Sequence, residues 1–258
     1  MLRKPALAFT AALLPLLFAA GQANAAVLKV YVSGAMAHAL EEISQDFAKK
    51  NGHTLEFVVG TTGTIQDRVR KGEKADIVEI TNVGMDALEK EKLVIAGTRI
   101  DLARGMIGVA VPAGAAAPDI STPEALKQLL LSARAVAYIN PQGGGQAAAA
   151  ITQMLQKMGI AEAVEKKTVH GGTGAESVEK MAAGQADIAI SFVSEILPIK
   201  GAKFVGELPK DLQNPSVYTG AVGAGSANPQ AARALLAAMR NAGSQKIMRE
   251  AGLDPIAK

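Results

Sequence analysis

A two-lobed α/β fold is predicted for this chain by three observations. Strand-like apolar runs alternate with amphipathic helical segments, one Gly/Thr loop unit occurs twice, and two extended, glycine-punctuated stretches separate the halves. The repeat sets the frame. Gly60-Thr61-Thr62-Gly63 returns 111 residues later as Gly171-Gly172-Thr173-Gly174, and Asp76 and Asp187, each inside Ala-Asp-Ile, lie thirteen residues past the last glycine of their loop. A helix-length segment fits between, so each copy reads as strand, loop, helix, strand. The first N–H groups of a helix lack helical partners and the macrodipole adds about half a positive charge there, which suits each loop to an anion. If the lobes face each other, the two loops grip one small anion. The alternative is that glycine-rich turns simply join strands to helices.

Each element follows in order. Val27 to Val32 is an apolar run suited to a doubly buried strand. Ser33-Gly34-Ala35 then turns into a helix with Met36, Leu40, Ile43 and Phe47 at helical spacing, ended by Lys49-Lys50-Asn51-Gly52 as dipole and left-handed cap prefer. Thr54 to Val59 feeds the first loop; a helix from about Thr64 to Lys71 and a strand Asp76 to Ile80 complete the unit, and a helix is expected around Asp86 to Leu93. Thr98 to Val111 reads as extended passage between lobes. Thr122 caps a helix that begins at Pro123, Ala135 to Ile139 is a strand, and the loop from Asn140 through Gly143, Gly144, Gly145 and Gln146 opens a helix from Ala147 to Met158. After the second unit come the strand from Ile188 and a short strand Lys203 to Val205. Val217 to Ala224 is the expected return crossing, and helices carrying Ala231, Leu235, Met239 and Ile247 follow Asn228-Pro229. Ligands of such open sheets bind at the carboxyl ends of strands, where all these loops sit.

Composition narrows the function. Arg3 and Lys4, the apolar run Ala6 to Ala20 and Ala23-Asn24-Ala25 fit a secretory signal cleaved after Ala25, so residues 1–25 are expected to be a signal peptide, leaving no membrane span. Its removal lowers the formal charge from +3 to +1, which gives no nucleic-acid surface. Zero cysteines exclude disulfides and thiolate metal sites, and His38, His53 and His170 stand too far apart for a metal motif. No metal or cofactor is expected. A chain without tryptophan and with few aromatics offers no stacking platform.

The run from Ser33 to Ile80, the segment from Ala96 to Gly114, the Asn140-Pro141-Gln142-Gly143-Gly144-Gly145 loop and the segment from Ala186 to Pro198 together resemble type II periplasmic solute-binding proteins, closest to their molybdate-binding branch. The resemblance implies two Rossmann-like lobes with mixed sheets joined by a two-strand hinge, residues 26–103 and 219–258 forming one lobe and 104–218 the other. It implies a periplasmic monomer that closes over a small anionic ligand, oxyanion or carboxylate, and hands it to an ABC permease. The implied ligand contacts are Ser33, Gly34, Ala35, Thr61, Thr62, Gly63, Thr64, Gly144, Gly145, Gln146, Thr173, Gly174, Ala175 and Phe192. Three positions depart from that branch: Ala35 stands where it has a serine, Thr62 where it has a second serine, keeping the hydroxyl, and Phe192, without a hydroxyl, where it has a tyrosine. The same resemblance extends to aconitate isomerases, exported enzymes that interconvert cis- and trans-aconitate by an allylic proton shift. On that reading Arg104 would clamp a carboxylate, unless it pairs with an acidic neighbour such as Asp101, and His170, His38 and Glu176 are the acid–base candidates. Thr61, Thr62, Thr64 and Ser33 have an alternative role as helix caps. An exported sensor whose ligand closes the lobes is a third reading.

Overall fold

The computed structural model describes residues 25–143 and 145–256. The expected signal peptide lies outside them except for Ala25, as does the loop residue Gly144. The chain opens with β1 (Val27–Ser33), α1 (Gly34–Asn51), β2 (Thr54–Gly60), α2 (Thr62–Arg70), β3 (Ile77–Thr81) and α3 (Asn82–Lys90), then β4 (Ile100–Gly105) and β5 (Ile107–Pro112). Next come α4 (Pro123–Ser132), β6 (Val136–Ile139), α5 (Gln146–Lys157), α6 (Ala161–Glu165), β7 (Thr168–Gly171), α7 (Gly174–Ala182), β8 (Ile188–Phe192) and α8 (Val193–Ile196). The chain ends with β9 (Ala202–Glu207), β10 (Ser216–Val222), α9 (Pro229–Ala238), α10 (Ala242–Glu250) and β11 (Leu253–Pro255). Among the described residues no helix is long and apolar enough to cross a membrane.

The strands form two mixed sheets, ordered β11-β4-β10-β3-β1-β2 and β7-β6-β8-β5-β9. In the first, β1 runs parallel to β2 and β3, and β10 lies antiparallel to β3; in the second, β6 runs parallel to β7 and β8, and β5 lies antiparallel to β8. The two halves therefore share one arrangement, with β1, β2 and β3 matched by β6, β7 and β8. The Ala-Asp-Ile motifs explain why their register agrees. Asp76 donates its N–H to the Lys29 carbonyl (2.8 Å) and accepts the Lys29 N–H on its carboxylate (2.9 Å). Asp187 likewise donates its N–H to Ala135 (3.0 Å) and accepts the Arg134 N–H (2.7 Å). Each aspartate thus pins the start of its strand to the neighbouring strand.

Helices cover the sheets through apolar stripes. In α1 the expected Met36, Leu40, Ile43 and Phe47 are all buried, and Gly52 ends the helix in the left-handed region at φ 69°. Three boundaries differ from expectation. The helix expected around Asp86 to Leu93 begins at Asn82, directly from β3. Gly84 in its first turn reads as a breaker, yet it is needed there, because a Cβ would overlap the Thr62 methyl where α2 and α3 meet. The stretch Val217 to Ala224 is not the return crossing: β10 already lies between β3 and β4, and the chain returns through 208–215. Ser191 and Phe192 extend β8, and α8 follows at once.

Only Met106 separates β4 from β5 on the outward passage. The return passage is tied to it by one side chain, since Gln213 Oε1 accepts the Ile107 N–H (3.0 Å) and Gln213 Nε2 donates to the Ile107 carbonyl (2.8 Å). Beside this junction the Phe192 ring of the second sheet meets the Tyr218 ring of the first edge-on, with centroids 5.7 Å apart. Gly105 lies against both rings, leaving no room for a Cβ.

Candidate functional site

The carboxyl ends of the parallel strands of both sheets open onto one cleft of about 400 Å³, its open mouth included. Ser33, Gly34 and Ala35 reach it from the β1–α1 turn, Gly60, Thr61 and Thr62 from β2–α2, Thr81 from β3–α3, and Tyr218 from β10. The opposite wall is Ile139, Gly145, Gln146 and Ala147 at β6–α5, Thr173 and Gly174 at β7–α7, and Phe192 and Glu195 at β8–α8. The N-termini of α1, α2, α3, α5 and α7 therefore converge, and their combined field favours a negative charge. Thr62 and Thr173 share this cavity, as the repeated loops predict.

The hydroxyls are already engaged. Thr61 caps α2, accepting the Thr64 N–H (3.1 Å), while the Thr64 hydroxyl accepts the Thr61 N–H (2.8 Å). Thr61 Oγ1 also donates across the cleft to the Gly143 carbonyl (2.9 Å), so the lobes touch at its mouth. Thr173 caps α7 through the Glu176 N–H (3.1 Å). In capping role the partner of Thr173 is thus Thr61, one residue before the Thr62 that aligns with it in the repeat. Thr62 Oγ1 faces Thr81 Oγ1 at 3.2 Å.

Two buried carboxyls dominate the electrostatics, and neither was among the expected contacts. Glu195 is 7% exposed and lines the cleft. Its Oε2 accepts the Ser191 hydroxyl (2.7 Å) and occupies the space beside Gly174 that any side chain there would need. Its Oε1 lies 2.8 Å from where a Cβ of Gly34 would stand. The carboxyl therefore sits between the starts of α7 and α1, one from each lobe. Burial pushes its pKa up, while the Ser191 hydroxyl and the N–H groups of Phe192, Gly174 and Ala175 pull it back. Glu79, on β3 behind Ser33, is fully buried; its Oε2 accepts both the Ser33 N–H (2.9 Å) and the Ser33 hydroxyl (2.8 Å). Burial pushes Glu79 up to about 8 against the pull of those two donors. Burial, with the charges of Glu195 and Glu79, also raises Tyr218 well above its ordinary value, so the phenol stays protonated.

The remaining expected residues divide. Gly63, Thr64 and Ala175 stand just behind the lining, in the first turns of α2 and α7. Arg104 is outside the cleft: on β4 its guanidinium bonds Asp254 of β11 (3.1 Å), not Asp101, with both side chains about half exposed. The three acid–base candidates also lie off the lining. His38 is exposed on α1. His170 Nε2 is 3.0 Å from Glu165 and its ring packs edge-on against Tyr138. Glu176 accepts the Gly172 N–H (2.7 Å) and pairs with Lys180 (2.8 Å), which holds its pKa down. Among the described residues no group of three or more His, Cys, Asp or Glu side chains is placed to hold a metal ion.

Glu79 was legible in part, as a carboxylate interrupting the apolar strand Ile-Val-Glu-Ile. Glu195 carried no such signal, because α8 is too short to show periodicity. Tyr218 reaches the cleft from β10 beside Phe192, which sequence position alone could not reveal. The exposed Arg104–Asp254 pair leads to a modest expectation: Arg104→Ala should change unfolding free energy by less than about 1 kcal/mol in urea titrations and leave cleft binding unaltered.

Residues 28–254 match the family of bacterial extracellular solute-binding proteins. An aconitate isomerase from a Pseudomonas species is 30% identical over 98% of this chain and 97% of its own. The molybdate-binding protein ModA of Azotobacter vinelandii is 26% identical over 75% of this chain and 76% of its own. The solved structure of the Azotobacter vinelandii periplasmic molybdate-binding protein superposes with a TM-score of 0.75 at 21% identity, covering 88% of this chain and 98% of that one, a likeness of fold.

Proposed function

This chain belongs to the bacterial extracellular solute-binding proteins, and from that premise we propose that it is an exported, periplasmic isomerase that holds a small polycarboxylate between its lobes and interconverts cis- and trans-aconitate. The observation that carries this reading is Glu195. A carboxyl at the meeting point of two helix starts opposes any anion that enters, so in a receptor it only weakens binding, whereas in an isomerase that cost is offset by its work as a base. An allylic proton shift needs a base there.

The step balances within the substrate. The Glu195 carboxylate takes a proton from the methylene carbon next to the double bond, forming its own O–H as the C–H breaks. The electron pair spreads over the three-carbon unit and its carboxylates. The same carboxylic acid then returns the proton to the far carbon of that unit, and the double bond has moved with no net gain or loss. The converging helix starts and the Tyr218 hydroxyl stabilise the extra charge in between, and closure of the lobes keeps bulk water away from it.

Incubating the purified protein with cis-aconitate, without added metal or cofactor, should produce trans-aconitate detectable by proton NMR. No turnover, together with a rise in melting temperature on adding molybdate, would overturn the isomerase. That outcome would favour a second reading, a receptor that delivers its anion to an ABC permease, which the Thr61 bridge across the cleft mouth supports as a closing contact.

A further inference from the structure

We propose that Glu79 is a positioning residue whose proton decides which way the Ser33 hydroxyl faces, so that the cleft captures a small anion together with one proton. The inference rests on the cleft being an anion site, and it goes beyond that by making capture depend on protonation one layer behind the wall.

The geometry is one-sided. Both hydrogen bonds to Glu79 end on Oε2, while Oε1 is buried with no hydrogen-bond partner. An ionised carboxylate in that place leaves a charged oxygen unpaired, and it holds the Ser33 proton, so the hydroxyl turns only lone pairs toward the cleft. An anion would meet those lone pairs and be repelled. With a proton on Oε2, the direction reverses. Oε2–H donates to Ser33 Oγ across the same 2.8 Å, Oε2 still accepts the Ser33 N–H, and Oε1 becomes a neutral carbonyl oxygen that is less costly to leave unpaired. The Ser33 hydroxyl is then free to donate into the cleft that it lines.

Nothing nearby replaces that proton with a fixed charge. The titratable groups that bear on this site are Tyr218 on β10 and, through Tyr218, Glu195 on α8. From β1 only the uncharged Ser33 bonds the carboxyl, and among the described residues no Lys, Arg or His of α1, α2, α3 or α9 is hydrogen-bonded to it. Burial already raises Glu79 to about 8, which places the exchange within reach of ordinary buffers. An arriving anion raises it further, since a second negative charge disfavours the ionised form.

The test is calorimetric titration of trans-aconitate, and separately of molybdate, in paired buffers of different ionisation enthalpy. Proton uptake should be near zero at about pH 6, where the free protein already holds the proton, and approach one per anion at about pH 9. Affinity should fall towards tenfold per pH unit above the Glu79 transition. In Glu79→Gln no proton can exchange at this position, and the amide oxygen, in the place of Oε2, accepts both the Ser33 N–H and the Ser33 hydroxyl as the ionised carboxylate does. Uptake should therefore fall to what Glu195 contributes, and affinity below about pH 8 should drop to the weak level the native protein shows above the Glu79 transition. A purely structural role would instead leave the variant's proton uptake at high pH equal to that of the native protein. Without any ligand, carbon NMR of glutamate-labelled protein should show the carboxyls of Glu79 and Glu195 titrating above the rest, with one of the two signals missing in Glu79→Gln. Binding of trans-aconitate with no uptake, the same uptake in the variant, or no such signal lost in the variant overturns the switch and leaves the isomerase standing. Binding of molybdate alone, with uptake, keeps the switch and overturns the isomerase.

Discussion

Glu195→Gln is expected to lower the cis-to-trans rate by about 10²- to 10⁴-fold, the usual contribution of a positioned acid–base group, while binding trans-aconitate at least as tightly as the native protein. The two effects have one cause. The amide cannot take a proton from carbon, yet it removes a negative charge from a cleft that receives an anion. Folding should survive, because the substituted amide keeps the volume of the carboxyl and Ser191 Oγ can turn to accept from it instead of donating. The pH profile adds a check on sign. Catalysis uses the ionised form, and burial places the Glu195 pKa above the ordinary glutamate range. The acid limb of kcat/KM should therefore lie at higher pH than an exposed glutamate would give. Loss of binding and turnover together, with an altered circular dichroism spectrum, would reduce Glu195 to a structural group. Unchanged turnover would remove it from the mechanism altogether.

The sequence carries the architecture more openly than the chemistry, and particular residues show why. Periodicity and glycine spacing are local, so the α1 stripe, the repeated loops and the Ala-Asp-Ile strand starts could be read directly, while Ser33, Thr61, Thr62, Gly145, Gln146, Thr173, Gly174 and Phe192, named through the family resemblance, line one cleft. Arg104 and His170 looked functional because of residue type and nearness to a loop. Asp254, 150 residues away, pairs with Arg104, and Glu165 engages His170 Nε2 on the side chain's own lobe, away from the cleft lining. Glu195 and Tyr218 show the reverse case. Each is ordinary in its own segment and acquires meaning only where β8–α8 and β10 are folded against the starts of α1 and α7.

Glu79→Gln should remove a fall in stability that the native protein shows on the alkaline side. For Glu79 the folded-state pKa is about 8, raised from 4.5 by burial, so between those values the native state keeps a proton that the unfolded chain has given up. Stability from this group is fully present below the unfolded value and is lost as pH rises through the folded one, with a slope approaching one proton and a total on the order of several kcal/mol. Glu195 is shifted in the same direction and adds to the fall, so the variant should be flatter but not flat. Urea titrations at about pH 5 and pH 8.5 would measure the difference: the variant should gain on the native protein at the higher pH and show little advantage at the lower. Parallel curves would mean that Glu79 titrates alike in both states and would remove the basis for its burial cost. If the gain appears, β3 is carrying a destabilising carboxyl directly behind Ser33, at the wall of the cleft. A strand selected for stability alone would hold an uncharged residue there, so the cost is explained by what the proton does for Ser33.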